Sequence, residues 1–192
     1  MNLPSELPPV LSPAKINIGL SVLCRRPDNY HEIESLFMAI DFADRLAIRH
    51  SQNTQLHTEN QIAVASRADF DKVSERGNPQ NNLLLKIIRS VNHDRLQNHP
   101  KLPPVQADLF LSKQIPSGAG LGGGSSNAAV LINWLINEGI VSKQAGFELA
   151  KRHGADIPFF LNPMPSVVTG IGDTIQPLSV SESQRKRLLS IK

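Results

Sequence analysis

The sequence has little cysteine, few aromatic residues and no long apolar run, and each shortage narrows the class of protein. Its single cysteine, Cys24, excludes a disulfide within the chain and is typical of a reducing cytosol. The longest apolar stretch, residues 128–136, is interrupted by Asn133 and is too short to cross a bilayer. Residues 1–10 have neither a basic start nor an apolar centre, so we expect no signal peptide and a soluble, cytoplasmic protein.

Basic runs and metal-binding patterns are also scarce. The longest basic run is the triplet at residues 185–187, which is too short to predict a nucleic-acid surface, although the net charge of +3 would suit a phosphorylated ligand. The six histidines are scattered, and no cysteine pair could complete a zinc site. With 40% hydrophobic and 19% charged residues in 192, the chain is expected to fold around a sizeable core.

Strands and helices alternate along the chain, which predicts an α+β fold. Apolar residues at every second position predict a half-buried strand at 11–23, with Ala14, Leu20 and Val22 on its apolar side and Lys15 on the other. Further predicted segments are one or two strands over 32–50, a strand from 105 to near 116 and a hairpin over 166–178. Helices are predicted from 83 to about 91 after Asn82, from 126 or 127 to about 138, and from 142 to 153.

Five glycines lie within residues 118–124, between a predicted strand and a predicted helix. Glycine weakens regular structure, so the cluster indicates either a slack linker or a backbone that must approach a ligand closely. The strand-to-helix junction favours a phosphate site, where backbone N–H groups and a helix N-terminus bind an anion. The Walker A pattern fails because Gly124, not lysine, follows Gly123. The dinucleotide pattern is matched in letters, but no strand carrying a ribose-binding acid follows at the right distance.

The order of residues in "PSGAGLGGGSSNAA", 116–129, resembles the second signature motif of the GHMP kinases. The segment "SPAKINIGLSVLCRRPDNYHEIESLF" is similar to the first motif of one branch of that family, and "GADIPFFL" and "GIGDTIQPL" are similar to later segments of the same branch. That branch uses ATP to phosphorylate the 2-hydroxyl of 4-diphosphocytidyl-2-C-methyl-D-erythritol in the non-mevalonate isoprenoid pathway. The resemblance also implies a left-handed β-α-β crossover, an exception to the usual handedness.

The resemblance extends from about residue 12 to residue 178 and implies an N-terminal ATP-binding domain over 1–178. Residues 179–192 would begin a C-terminal lobe that is otherwise missing, so whether this chain is active stays open. Two alternatives stay open as well. One is a GHMP kinase for another small alcohol, such as mevalonate or homoserine. The other is a catalytically silent nucleotide-binding fragment, whose oligomeric state the sequence does not give.

Two residues would carry the chemistry if the resemblance holds. Asp156 matches the catalytic base of the family, although its local sequence alone indicates an ordinary turn aspartate. Lys15, otherwise an exposed strand lysine, would pair with Asp156, keep it ionised and offset negative charge in the transition state. Because the two lie in separate motifs, we expect their side-chain tips to meet within about 3–6 Å.

The remaining candidate residues would bind ligands. Tyr30 and His31 match a dipeptide that handles the cytosine ring, and Asn17 lies beside Lys15 on the first strand; turn packing is the alternative for Tyr30 and His31. Asn82 and Lys113 match positions near adenine, although Asn82 could simply cap a helix. A hydroxyl of Ser125 or Ser126 would help to hold Mg²⁺, or would only cap the helix. The ATP loop would comprise Pro116, Ser117, Gly118, Ala119, Gly120, Leu121, Gly122, Gly123, Gly124, Ser125 and Ser126.

Overall fold

The computed structural model of this protein describes residues 7–60, 82–172, 174–181 and 183–184. The predicted α+β class is confirmed, and in the described residues the chain order is three strands, a helix, a strand, three helices and two strands. The strands are β1 (Val10–Arg25), β2 (His31–His50), β3 (Gln55–Asn60), β4 (Ala107–Lys113), β5 (Ser166–Gly170) and β6 (Thr174–Pro177). The helices are α1 (Leu83–Asn98), α2 (Gly123–Asn137), α3 (Lys143–His153) and α4 (Ile157–Leu161).

The long strand β2 organises the sheet. Its partner β1 runs antiparallel along one edge, from Arg25 opposite His31 to Val10 opposite Leu46. The other edge of β2 pairs with β5 in its first half and with β4 in its second half, both antiparallel. Strand β3 adds parallel to β4, and α1 lies between them in sequence, so these elements form a β-α-β unit. The handedness of that connection stays a prediction.

Helix α2 lies at the centre of the core. Five of its apolar side chains are fully buried, and it contacts α1, α3, α4, β1 and β2. Burial of this kind is the main favourable term in folding, at roughly 25 cal/mol per Å² of apolar surface. None of the helices in the described part of the chain is long and apolar enough to span a membrane. The buried side chains of α2 are Ala128, Ala129, Leu131, Ile132 and Leu135.

Several element boundaries differ from the predicted ones. Helix α1 continues to Asn98, because the polar run after Val91 is compatible with a helix until Pro100. Strand β2 is a single strand, and α4 forms within the segment "ADIPFFL". The predicted helix at 142–153 is confirmed, with Ser142 as its N-cap, and so is the antiparallel hairpin of β5 and β6. Residues 179–192 are described only in part, so their assignment to a second lobe stays a prediction.

The prediction of one apolar face along β1 is wrong. Leu20 and Val22 are 55% and 60% exposed, whereas Lys15, placed on the polar side, is only 5% exposed. The register with β2 shifts at three places, including between Ile18 and Leu20, and each irregularity reorients the side chains that follow. The uniform alternation that the sequence indicates therefore does not persist along the strand.

The segment that leads into β4 is fastened to α1 by Asn92. Its Nδ2 donates to the Val105 carbonyl at 2.9 Å, and its Oδ1 accepts from the Val105 N–H at 2.7 Å. Val105 is nearly buried, so these two backbone groups have little access to water. This clamp fixes the start of the strand that delivers the glycine-rich loop.

We predict that Asn92→Ala lowers the free energy of unfolding by about 2–3 kcal/mol, because it orphans a buried N–H and a buried carbonyl together. Urea unfolding measures the change. Asn98→Ala is the control, since Asn98 is exposed and bonds only to the Asp94 carbonyl of its own helix. Equal stabilities of the two variants would contradict the clamp.

Candidate active site

The glycine-rich loop connects β4 to α2 and turns sharply. Three of its glycines, Gly118, Gly120 and Gly122, have φ between +71° and +78°, a region that other residues rarely adopt. The loop encloses a groove of about 270 Å³, lined by Leu83 of α1 and by residues 116–125. The walls of the groove are therefore mostly backbone, as close contact with a ligand requires.

Helix α2 begins at Gly123, so the prediction of a start at Ser126 or Asn127 is wrong. Its N-cap is Gly122 in the left-handed conformation, which has no side chain to accept from the first-turn N–H groups. The first bond within the helix runs from the Ser126 N–H to the Gly122 carbonyl at 2.8 Å. The helix thus presents free N–H groups and the positive end of its dipole at the groove, an arrangement that binds anions.

Neighbouring side chains pack closely against Gly122 and Gly123 of the loop, whereas the space beside Gly124 is open. A Cβ on Gly122 would lie 2.8 Å from the Phe160 ring and 3.1 Å from Lys15 Cγ, and a Cβ on Gly123 would lie 2.8 Å from Ile115 Cγ2. A Cβ on Gly124 would meet nothing within 4 Å. Gly122 and Gly123 are thus required by packing, whereas the space beside Gly124 is open.

Lys15 and Asp156 meet beside this loop. Lys15 Nζ lies 3.4 Å from Asp156 Oδ2, so the expected meeting of the two side chains is confirmed. The Asn17 Oδ1 accepts from Lys15 Nζ at 2.7 Å, and the ammonium lies 4.0 Å from the centroid of the Phe37 ring. The Lys15 side chain is 6% exposed and that of Asp156 is 32% exposed. A nearly buried cation therefore faces a carboxylate that solvent can still reach.

The backbone connects this ion pair to the loop. The Lys15 N–H donates to the Leu121 carbonyl at 2.9 Å. Asp156 immediately precedes α4, and Phe160 of that helix packs beneath Gly122. The groove and the ion pair consequently form one site.

Ser125 and Ser126, the two serines expected to help to hold Mg²⁺, occupy different environments. Ser125 lines the groove and is partly exposed. Ser126 is buried, and its Oγ accepts from Ser12 Oγ at 3.1 Å. Of these two, only the Ser125 hydroxyl is therefore positioned to reach a ligand in the groove.

The two residues expected near adenine have partners within the protein. Asn82 is the N-cap of α1, and its Oδ1 accepts from the Leu84 N–H at 2.9 Å. It precedes Leu83, which lines the groove. The Lys113 ammonium donates to the buried carboxylate of Asp44 and lies beneath the start of α2. Their contacts with adenine stay predictions.

Tyr30 and His31 lie at the turn between β1 and β2, apart from the ion pair. Tyr30 is 60% exposed, and its N–H donates to Asp28 Oδ1 at 3.1 Å. Arg26 pairs with Asp28 and Glu32, and the hydrogen bonds that its guanidinium donates, first to Glu32 and then to Asp28, raise its pKa. His31 lies eight residues before Ala39, which pairs with Lys15 in the sheet. Eight residues of a strand span at most ~26 Å. Only an elongated ligand could contact both places.

Asp44 is a candidate functional residue that we did not identify from the sequence. Its carboxylate is fully buried and accepts hydrogen bonds from Lys113, the Gln114 N–H, the Ile115 N–H and Asn127 Nδ2. The available signal was a charged residue within an apolar strand, but Asp41, three residues earlier, is exposed and has the same signal. The local sequence does not distinguish the two.

The family comparison agrees with this geometry. Residues 82–162, which include α1, the loop, α2 and Asp156, match the model of the GHMP kinases N terminal domain. The chain carries a GHMP kinase N-terminal domain.

Curated relatives of this GHMP domain share one name. A protein of Leptospira interrogans named 4-diphosphocytidyl-2-C-methyl-D-erythritol kinase is 38% identical over 178 residues, which is 91% of this chain and 58% of the relative. One of the same name from Persephonella marina is 36% identical, with 86% of this chain and 54% of the relative covered. The chain spans little more than half the length of these relatives.

Two solved structures of kinases have a similar fold. A crystal structure of 4-(cytidine 5'-diphospho)-2C-methyl-D-erythritol kinase matches with a TM-score of 0.66 and 33% identity, covering 90% of this chain and 56% of that one. A mevalonate kinase matches with a TM-score of 0.56 at 14% identity, covering 89% and 56%, which is a likeness of fold alone. The GHMP fold is thus shared by enzymes with different names.

Gly122 and Gly124 of the GHMP domain offer a matched pair of substitutions. We predict that Gly122→Ala lowers the free energy of unfolding by about 2–4 kcal/mol, because it combines a left-handed φ with a clash against Phe160. Gly124→Ala should leave stability unchanged or raise it by up to ~1 kcal/mol, because the position is helical and open. Urea unfolding of both variants measures the difference, and similar losses would contradict the described packing of the loop.

Proposed function

We propose that this chain forms the ATP-binding half of a kinase that transfers the γ-phosphoryl group of ATP to the 2-hydroxyl of 4-diphosphocytidyl-2-C-methyl-D-erythritol. The single observation that carries the proposal is the joining of an anion-binding loop to the Lys15–Asp156 pair. Phosphoryl transfer needs both, because the phosphates must be held in line while a nearby base accepts the hydroxyl proton. The choice of acceptor is supported by the names of the relatives.

The triphosphate of ATP would lie in the groove between Leu83 and the loop. The first-turn N–H groups of α2 would donate to the phosphate oxygens, and the positive end of the helix dipole would offset their charge. A side chain in place of Gly124 would occupy the space that the phosphates need. This explains a glycine at a position where packing does not require one.

Asp156 would act as the base. Its carboxylate is accessible enough to receive an acceptor alcohol, and the Lys15 ammonium lies 3.4 Å from it. Asn17 and the Phe37 ring hold the Lys15 ammonium in place, so the cation is preorganised rather than recruited during the reaction. Lys15 would also offset the negative charge that develops on the transferred group.

The residues present fit a Mg²⁺ ion that is bound mainly through the phosphates. Among the residues that the structure describes, no three His, Cys, Asp or Glu side chains cluster as a metal site. Mg²⁺ in such enzymes is commonly held by substrate phosphates, water and one or two protein groups, and the Ser125 hydroxyl is one suitable donor in the groove. When bound, the ion would neutralise phosphate charge.

The cytidine end of the acceptor would bind at the β1–β2 turn. Tyr30 is exposed there on a turn that Arg26 braces through Asp28 and Glu32. A cytidine diphosphate ester is long, which suits the separation between this turn and the ion pair. Stacking on Tyr30 and hydrogen bonding to His31 would suit the apolar face and the polar edge of cytosine.

The first functional prediction concerns Asp156→Asn. The amide keeps the size of the side chain but cannot accept the proton, so phosphoryl transfer to the cytidine acceptor should fall by about 10²–10⁴-fold while ATP affinity stays within about threefold. Transfer is measured by product formation with the purified chain, and affinity by calorimetry. Transfer by Asp156→Asn at the wild-type rate would contradict the proposal.

The second functional prediction separates stacking from packing at Tyr30. Tyr30→Ala should weaken binding of the cytidine acceptor by about 1–3 kcal/mol, the usual value for a base on an aromatic ring, and ATP affinity should stay the same. Tyr30→Phe is the matched control and should retain acceptor binding, because it keeps the ring. Calorimetry with each ligand measures both, and an equal loss for ATP and acceptor would indicate a folding defect instead.

A further inference from the structure

Asp44 has a set of contacts that the proposed reaction does not itself require. Its Oδ1 accepts from the Gln114 N–H at 2.7 Å and from the Ile115 N–H at 2.8 Å. Its Oδ2 accepts from Asn127 Nδ2 at 3.0 Å and from the Lys113 ammonium. The side chain is fully buried, and the four donors satisfy the lone pairs of the carboxylate.

These four donors lie on both sides of the glycine-rich loop. Lys113, Gln114 and Ile115 form the end of β4 and the entry to the loop, whereas Asn127 lies in α2 after it. Asp44 belongs to β2, so one carboxylate fastens the entry and the exit of the loop to the central strand. Hydrogen bonds to a charged group are roughly twice as strong as neutral ones, and burial removes competition from water.

We propose that Asp44 is a positioning residue for the phosphate-binding loop. It fixes the start of α2 relative to β4, and thereby the orientation of the N–H groups that line the groove. The proposal rests on the proposed ATP-binding function of the same loop. Asp44 is fully buried and does not line the groove, so it acts through the loop and not on the ligand.

The negative charge of Asp44 and its positioning role predict opposite effects of Asp44→Asn on the binding of an anion by the loop. The Lys113 ammonium lies 3.1 Å from the Cβ position of Gly123, and Asp44 neutralises it. Removing the negative charge would strengthen the binding of an anion if electrostatics alone mattered. If position matters, binding weakens, because an amide has one acceptor oxygen, and the two donors that face its NH2 group lose their acceptor. The sign of the change therefore identifies the role.

Asp108 provides a matched control. It is also a nearly buried carboxylate with a cationic partner, since Arg49 Nη2 lies 2.8 Å from its Oδ2. Asp108 and Arg49 pair across β4 and β2 near the start of β4, about 16 Å along the strand from the loop. Asp108→Asn removes a buried charge without touching the loop.

The test compares ATP affinity by calorimetry and amide hydrogen exchange in the full chain, its Asp44→Asn variant and its Asp108→Asn variant. We expect Asp44→Asn to weaken ATP binding by about tenfold and to accelerate exchange at residues 118–126 by a similar factor. Asp108→Asn should change neither. Asn127→Ala is a second variant, which breaks the link to α2 but leaves Lys113 paired, and it should weaken ATP binding by about threefold even if Asp44→Asn does not fold.

The outcomes separate the two proposals. ATP binding by the wild type, with equal or tighter binding by Asp44→Asn or Asn127→Ala and unaltered exchange in the loop, overturns the positioning role alone. A wild-type chain that does not bind ATP overturns the proposed function, and the positioning role with it. Weaker binding and faster loop exchange in both variants, with Asp108→Asn unchanged, supports both.

Discussion

The start of α2 is held against the sheet from three directions, and the candidate site depends on that placement. Ser12 of β1 contacts Ser126, Asp44 of β2 contacts Asn127, and the Lys15 N–H binds the Leu121 carbonyl. These are polar contacts within a largely apolar core, where an unmet donor or acceptor is costly. The position of the helix therefore depends on all of these partner groups on β1 and β2 being correctly placed.

This placement also explains why the chemistry-bearing residues meet. Lys15 belongs to the first strand and Asp156 to a turn more than a hundred residues later, yet each is joined to the same loop. Phe160 packs under Gly122 and Phe37 packs under the Lys15 ammonium, so apolar contacts fix the ends of the ion pair. An exposed ion pair contributes little by itself. Here the packing holds the Lys15–Asp156 pair in place beside the glycine-rich loop, where the pair could act on a ligand bound in the groove.

The sequence predicted the loop and the helix after it from a dense local motif, whereas the meeting of Lys15 with Asp156 followed only from the family resemblance of two separate motifs. It did not predict the start of α2. Serine and asparagine are common N-caps, but Ser126 and Asn127 here face the core and bond to Ser12 and Asp44. The side-chain alternation predicted along β1 was also wrong, because the register shifts of that strand depend on its pairing with β2. Asp44 was missed because its donors come from two segments far from it in the chain, residues 113–115 and Asn127, which no local pattern reveals.

The chemical-shift change of the backbone amides when ATP is added to the chain tests the phosphate site most directly. We expect the largest changes at residues 118–126, with smaller changes near Lys15 and Asp156. The described chain has another cavity, of about 590 Å³, between α1 and α3, lined by residues that include Val91, Arg95 and Leu149. Changes centred on that cavity, or no changes at saturating ATP, would contradict the assignment of the loop as the phosphate site.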